Sequence, residues 1–300
     1  MKMNNRMILA AVMLLGASPA GAFFFTGGLS QNIGNRNYQG TNAYLDIGGD
    51  LHVRPSYSSY HSDDSGGYTL KTYGARVGYD ATIWGAGVSA GATPKVNGYR
   101  NNYVGADAEV SISPTGSGPV KRITGTQQGG GEAVGKGLAR IDFGVGAAHI
   151  QHTDDLQAGG AARGTPLGIG QNDLKGTVGV SFLDNLISVD ATKSYYDHNL
   201  DKINARPAQV QNLAGLSSTI QGYPDTSANF RLEMGMMPVV KPFVGYTRTT
   251  FKQGAPGMGA YTAGVSVELL MVEVSATYQH QVVKGFPSEN LFGIGAGLRF

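Results

Sequence analysis

Three short groups of histidine and aspartate residues are the side chains of this sequence best suited to acid–base chemistry. An Asp–His pair can activate water, and adjacent carboxylates can bind a divalent cation. The groups fall in polar stretches at the ends of apolar segments, where such residues are common in solvated loops, and no metal or nucleotide motif accompanies them. We therefore predict no catalytic residue, no metal site and no cofactor. The groups are His61 with Asp63 and Asp64, His149 and His152 with Asp154 and Asp155, and Asp197 with His198.

A larger set of charged residues recurs at every second position, between apolar residues. In one such segment Ile141, Phe143 and Val145 alternate with Arg140 and Asp142. This alternation predicts a strand, because successive strand side chains point to opposite faces of a sheet. The charged face carries Arg54, Arg76, Arg140, Lys175, Arg231 and Arg299, with Arg248 from a segment whose phase stays open, and Asp46, Asp50, Asp107, Glu109, Asp142, Asp190, Glu233, Glu268 and Glu273.

The alternation recurs in about twelve segments of roughly ten residues, the length that a tilted strand needs to cross a bilayer. The first segment spans 42–54 and the last spans 291–300. A long, glycine-rich connection at 113–137 stands where a short one is expected, and a hairpin near 119–126 would raise the number of strands to fourteen. Elsewhere short connections at 80–83, 183–186, 237–241 and 269–271 alternate with long ones at 55–67, 152–172, 197–227 and 280–290.

Residues 1–22 have the three parts of a secretory signal peptide. Lys2 and Arg6 precede an apolar run at 7–15, and Ala20, Gly21 and Ala22 form a small-residue cleavage site. The apolar run is too short to span a bilayer. We predict that the mature chain begins near Phe23 and that residues 23–40, which show no period, form an irregular periplasmic or lumen-entering segment.

Composition limits the function further. Of the 23 Lys and Arg residues, two lie in the signal peptide, which leaves 21 against 21 Asp and Glu residues. A chain without excess positive charge is a poor partner for nucleic acid, and we predict none. The absence of cysteine excludes disulfides and thiol chemistry. The mean hydropathy of −0.14 is too polar for a helical membrane protein but suits a barrel whose strands are polar on one face.

The last ten residues keep the alternation to the final position, with Phe292, Ile294, Ala296, Leu298 and Phe300 separated by three glycines and Arg299. This resembles the closing strand of bacterial outer-membrane β-barrels. The resemblance implies an all-β, transmembrane, antiparallel up-and-down barrel at 41–300 in the outer membrane of a Gram-negative cell. It also implies that Phe300 and Leu298 belong to a signal read by the barrel-assembly machinery. Periplasmic chaperones, outer-membrane lipid and lipopolysaccharide are the other expected partners, and a homo-oligomer or a surface partner stays open.

Two functions compete for such a barrel. Charges of both signs and inward glycines suit a porin-like passive channel for small polar solutes. The same charges could instead be ion pairs that fill the lumen of a non-conducting structural, adhesion or export-complex barrel. A hydrolase at the rim ranks third, and we predict that the protein is not an enzyme. In the 197–227 loop, Val210, Leu213, Ala214 and Ile220 fall on one helical face. This indicates a short helix that gates or narrows the lumen, and a solvated surface loop is the alternative.

Overall fold

A computed structural model of the chain shows antiparallel strands closed into a barrel. It describes residues 24–299 except for 36, 64–66, 82, 114–138, 155–166, 184, 198–199, 201–206, 212–216, 222, 236–238, 253–255 and 270. The predicted signal peptide, the hairpin near 119–126 and Phe300 therefore lie outside the described residues. No helix in the described part is long and apolar enough to cross a membrane.

Fourteen of the sixteen described strands form the barrel, which confirms the all-β fold and the alternative of fourteen strands. The ring order is β1, β16, β15, β14, β13, β12, β9, β8, β7, β6, β5, β4, β3, β2. The strands are β1 (Phe24–Gly34), β2 (Gln39–Gly48), β3 (Leu51–His61), β4 (Thr69–Asp80), β5 (Trp84–Val96), β6 (Tyr99–Ile112), β7 (Ala139–Asp154), β8 (Leu167–Phe182), β9 (Asn185–Tyr196), β10 (Pro207–Gln211), β11 (Ser217–Gln221), β12 (Pro224–Glu233), β13 (Val240–Phe251), β14 (Met258–Leu269), β15 (Val272–Val283) and β16 (Glu289–Arg299).

The two rims differ in their connections, as predicted. We call one the short-turn rim, with connections at 49–50, 81–83, 113–138, 183–184, 234–239 and 270–271. The opposite, long-loop rim has connections at 35–38, 62–68, 97–98, 155–166, 197–223, 252–257 and 284–288. The exceptions are the long segment 113–138 on the short-turn rim and the short connections 35–38 and 97–98 on the long-loop rim.

The first strands of the barrel differ from those predicted. Residues 24–34 are not an irregular segment, because β1 pairs with β16 from Thr26–Arg299 to Gly34–Leu291 and with β2 on its other side. The predicted strand 42–54 is two strands, β2 and β3, joined at 49–50. These changes account for both additional strands within the described part of the chain.

The turn between β2 and β3 depends on one glycine. Gly48 has a φ of +135°, a conformation that residues with a Cβ rarely adopt. A Cβ at Gly48 would also collide with the Leu51 carbonyl oxygen and lie 2.8 Å from the His52 Cα. Both are backbone atoms of the same turn, so no change of rotamer could relieve the contact.

The outer face of the barrel is an apolar band. Its outward side chains include Val88, which is 60% exposed, and Ile294, which is 67% exposed. Aromatic pairs flank the band, with the Tyr79 and Trp84 ring centroids 5.5 Å apart near the short-turn rim. Nearer the long-loop rim, the Tyr246 and Tyr261 rings are 4.9 Å apart. A closed barrel with an apolar band between aromatic girdles is the form in which strands cross a membrane.

The connection from β9 to β12 does not contain the expected helix at its described positions. Val210 lies in β10 and Ile220 in β11, and these strands pair as a separate antiparallel hairpin. Leu213 and Ala214 fall outside the described residues. A strand pairing that spans the segment outweighs the apolar spacing that indicated a helix.

Candidate functional site: the lumen wall

The register of the strands decides which predicted site residues face the lumen. Residues that pair across neighbouring strands share a face, so the inward set can be followed around the barrel. Ten of the eleven predicted charges lie on the inward set: Asp46, Arg76, Asp107, Glu109, Arg140, Asp142, Lys175, Arg231, Glu233 and Glu268. They lie in the half of the lumen nearer the short-turn rim.

Arg248 is the exception, and its assignment to the lumen is wrong. It pairs with Ala228 and Gly259, and it shares the outward face of β13 with Val244, which is 49% exposed. The inward residues of this strand include Phe243 and Phe251, both buried. Apolar residues on both faces of β13 hid its phase in the sequence.

Arg76 and Asp107 form a lumen charge pair that reaches across an intervening strand. The Arg76 Nε donates to one Asp107 oxygen at 2.9 Å and the Nη2 donates to the other at 2.5 Å. The pair joins β4 to β6 across β5, and a Cβ at Gly87 would collide with the guanidinium. The missing side chain of Gly87 therefore lets Arg76 lie flat on the wall.

His52 holds the other edge of the same guanidinium. Arg76 Nη1 donates to His52 Nε2 at 3.0 Å, which assigns the ring proton to Nδ1. That nitrogen faces the Asp50 carbonyl oxygen at 3.4 Å and the Asp80 carboxylate at 3.8 Å. Gly78 leaves the space for this contact, since a Cβ there would collide with both Arg76 and His52.

Three further ion pairs connect neighbouring inward residues. Arg54 Nε donates to Asp46 at 2.9 Å between β3 and β2, and Lys175 Nζ is 3.1 Å from Asp190 between β8 and β9. Lys241 Nζ donates to Glu268 at 2.5 Å between β13 and β14. Lys241 was not among the predicted lumen charges, because it stands in a predicted turn, next to Pro242.

Arg140 and Asp142 form a buried unit with Ser111. Arg140 Nε donates to Asp142 at 2.6 Å and Nη2 donates to the Ser111 oxygen at 2.7 Å, while the Ser111 hydroxyl donates to Asp142 at 2.5 Å. The side chains of Arg140 and Asp142 are 4% and 1% exposed. These two predicted lumen charges thus stiffen the wall between β6 and β7 and face little open space.

Arg231 and Glu233 form a similar buried pair on β12. Arg231 Nη2 donates to Glu233 at 2.5 Å, and the guanidinium carbon lies 4.5 Å from the centre of the Phe243 ring. The Phe243 ring in turn occupies the place that a Cβ of Gly264 would need. Glu109 is also buried, opposite Gly85 in the register.

Aromatic rings also pack over glycines on the opposite side of the lumen. The Tyr103 ring lies over Gly74 and Gly91, where a Cβ would collide with it. Sequence alone showed these glycines but not the rings that cover them, because the ring and the glycine are on different strands.

The half of the lumen nearer the long-loop rim is polar, carries few charges and is partly covered. On β13 to β15, the inward residues Thr247, Thr249, Met258 and Gln279 have no exposed surface. In the half nearer the short-turn rim, by contrast, the side chains of Arg76, Asp107 and Lys175 on β4 to β8 are 11%, 18% and 29% exposed, and those of Lys241 and Glu268 on β13 and β14 are 18% and 29% exposed. The accessible part of the described lumen therefore lies nearer the short-turn rim.

A chain of hydrogen bonds lines the wall from β6 to β8 near the long-loop rim. Asn101 donates to Tyr99, the Tyr99 hydroxyl to His152 Nδ1 at 2.8 Å, and His152 Nε2 to Gln171 at 3.0 Å. Gln171 then donates to Asp173 at 2.8 Å. The Gln171 oxygen can only accept, so the chain requires a proton on His152 Nε2.

The predicted acid–base groups are spread over different faces. His152 points inward, whereas His149 is exposed on the outward face of β7. Asp63 accepts two bonds from Asn37, and Asp197 accepts one from the Gly170 amide. Asp64, Asp155 and His198 fall outside the described residues, as does the Asp154 side chain. Within the described part, no three His, Asp or Glu residues are placed to hold a metal ion.

Of the two residues predicted to form the assembly signal, the structure places Leu298. It is 46% exposed on the outward face of β16, between Gly27 on β1 and Val272 on β15. It thus lies at the closure of the ring, where its side chain faces the apolar surroundings of the barrel.

Deletion of Phe300 should prevent insertion. If the terminal aromatic is the assembly signal, the variant should accumulate unfolded in the periplasm, at least tenfold depleted from the outer membrane, because closure needs β16. Fractionation with unheated gels measures this, and Phe300→Tyr, which keeps an aromatic end, is the control. Normal insertion of the deletion variant would refute the signal.

No protein-family model and no curated protein match the chain. Solved structures of similar architecture include CdiB from Acinetobacter baumannii, with a TM-score of 0.49 and 10% identity over 94% of this chain. Others are the CymD monoaromatic hydrocarbon channel (0.47, 10%, 100% of this chain and 93% of that one) and Pseudomonas putida OprB (0.47, 7%, 97% and 96%). This chain spans 60% of the length of CdiB. At TM-scores below 0.5 these likenesses carry no functional inference.

Proposed function

We propose that this outer-membrane β-barrel is a passive channel for small polar solutes. The proposal rests on where the described lumen charges point: they pair with neighbours along the wall and do not reach across the lumen. Arg76 and Asp107, Arg54 and Asp46, and Lys175 and Asp190 pair along the wall, within one strand or two of each other. Charges paired in this way leave the centre of the lumen to water, while a charge reaching across it would close it.

The path of the solute follows the β4–β8 wall. The wall is flat there, because Gly74, Gly78, Gly87 and Gly91 contribute no side chains and the Arg76 and Tyr103 side chains lie on them. Its charges are of both signs and already paired, so a permeating ion meets no strong binding site. This favours weak selection by size and polarity, with the short-turn rim toward the periplasm.

A non-conducting barrel is the second candidate, and the covered wall supports it. Thr247 and Gln281 are buried lumen residues whose Oγ1 and Oε1 atoms have no hydrogen-bond partner among the described residues. Lumen side chains buried this completely indicate that packed atoms, not bulk water, fill the lumen beside β13 to β15. If the filling extends to the β4–β8 wall, the barrel has a structural or partner-binding role.

Single-channel conductance of the refolded protein in a planar bilayer tests the proposal. Asp107→Asn leaves Arg76 positive and unpaired, so the ratio of cation to anion permeability should fall, whereas Arg76→Gln should raise it. A unit charge about 10 Å from an ion in water is worth about 0.4 kcal/mol, or roughly a factor of two in relative permeability.

The exterior variant Lys71→Gln is the control, because Lys71 is exposed on the outward face of β4. Its selectivity should equal that of the unmodified protein. A folded protein without current steps would overturn the channel and leave the filled barrel. Steps whose selectivity changes in the same direction in both lumen variants would contradict the assigned path.

A further inference from the structure

Arg248 places a guanidinium on the lipid-facing surface of β13. Arg248 is exposed on the outward face, and its guanidinium lies against Gly257 at the β13–β14 connection. Within the described part of the chain, no carboxylate pairs with it. An arginine on the lipid face is costly near the bilayer centre and tolerated near the headgroups, so Arg248 must lie at the headgroup level or bind an anion there.

Two lysines lie near it, Lys193 on β9, two strands away, and Lys252 at the start of the β13–β14 connection. Lys193 on β9 donates to both oxygens of Asp225 at 2.9 Å and contacts the Thr226 hydroxyl at 3.3 Å. Lys252 binds the same carboxylate. The two lysine side chains stay 41% and 38% exposed. We call Lys193, Asp225, Arg248 and Lys252 the exterior basic patch, with a net charge of +2.

The patch lies directly above an aromatic girdle. Tyr246, two residues before Arg248 on the same face, packs on Tyr261. Tyrosine rings of this kind mark the membrane–water interface. The basic side chains therefore project at the level where lipid phosphates lie, on the side of the long-loop rim.

The spacing of the patch separates two cationic positions. Lys193 is in register with Thr226 and Thr250, and Thr250 is two residues from Arg248. Two strand spacings and two residues correspond to about 12 Å between the Lys193 and Arg248 Cα atoms. One position is a guanidinium fork, which suits a phosphate, and the other is a pair of ammonium groups held by Asp225.

We propose that the exterior basic patch binds a phosphorylated glycolipid of the outer leaflet, with one phosphate on Arg248 and a second at Lys193 and Lys252. Two phosphates on one rigid sugar headgroup match the two separated positions, whereas a glycerophospholipid diester carries one. The proposal depends on insertion in the outer membrane and is independent of whether the lumen conducts.

The test titrates the refolded barrel in zwitterionic detergent with diphosphorylated lipid A and measures the binding by calorimetry. Arg248→Gln should weaken binding about tenfold, and the double variant Lys193→Gln/Lys252→Gln should weaken it to a similar degree. Arg248→Lys, which keeps the charge but not the fork, should bind more weakly than the unmodified protein and more tightly than Arg248→Gln. Lys71→Gln, on the outward face of β4, should bind as the unmodified protein does.

Three further ligands identify the source of the phosphate. Dephosphorylated lipid A should bind at least tenfold more weakly than the diphosphorylated form. Phosphatidylglycerol vesicles and inorganic phosphate should not compete at equal phosphate concentration, and equal affinity for either would overturn the glycolipid. Equal binding by Arg248→Gln and the unmodified protein would overturn the site. Single-channel current of Arg248→Gln should be unchanged, which separates failure of this site from failure of the channel.

Discussion

Gly48→Ala should cause a larger loss of stability than any other glycine-to-alanine change in the described part of the barrel. The backbone at φ +135° costs a residue with a Cβ about 1–3 kcal/mol. The collision with the Leu51 carbonyl oxygen adds to this, because the turn must open and disturb the pairing of β2 with β3. We expect a total of at least about 3 kcal/mol. The midpoint of urea unfolding, followed on unheated gels, measures it.

Gly67→Ala is the matched control for this prediction. Gly67 also has a positive φ, +77°, but a Cβ there would meet nothing within 4 Å. It should lose only the backbone cost of about 1–2 kcal/mol. Equal losses at the two positions would show that the collision at Gly48 is relieved and that backbone conformation alone decides both.

Arg140→Ala should also destabilise the barrel strongly, by about 3–5 kcal/mol, because it leaves the Asp142 carboxylate buried without its cation. Only the Ser111 hydroxyl would remain beside that carboxylate among the three groups of the unit. The unfolding midpoint in urea gives the difference from the unmodified protein.

The double variant Arg140→Ala/Asp142→Ala separates charge from packing. If the loss comes from an uncompensated charge, removing both partners should recover more than half of it. A double variant as unstable as Arg140→Ala would show that the unit contributes through packed volume. Channel selectivity should change little in either variant, since both side chains face little open space.

Alternation of side chains is sufficient to predict most of the barrel. In β7 and β8 one face is apolar and the other charged or small, so both strand and direction follow from the period alone. The lumen positions of Arg76, Arg140, Lys175 and Arg231 follow for the same reason. A single strand with contrasting faces contains all the information that this prediction needs.

The alternation did not predict the boundaries of β1, β2 and β3 or the face of β13 on which Arg248 lies. The outward residues Phe25, Leu29 and Ile33 of β1 are separated by Gly27 and Gln31, which removes the contrast between its faces. The two-residue turn at 49–50 preserves the phase from Ile47 to Leu51, so β2 and β3 resemble one long strand. On β13, inward aromatic residues made the outward Arg248 look like a lumen charge.

The partners of the lumen charges depend on register, which a sequence does not contain. The bridge from Arg76 to Asp107 needs β5 between them to carry Gly87 at that height. A shift of one residue would place an outward side chain there instead. Glycine content thus indicated space, but only the paired strands show that an arginine and several aromatic rings fill it.

Closure through β1 and β16 constrains how a barrel of this kind can change size during evolution. Every barrel strand has two antiparallel neighbours, and the ring closes in this way only when the first and last strands also run in opposite directions. Loss or gain of one strand would bring two parallel strands together somewhere in the ring. Descendants that keep an all-antiparallel ring must therefore gain or lose whole hairpins, so the circumference changes in steps of two strands.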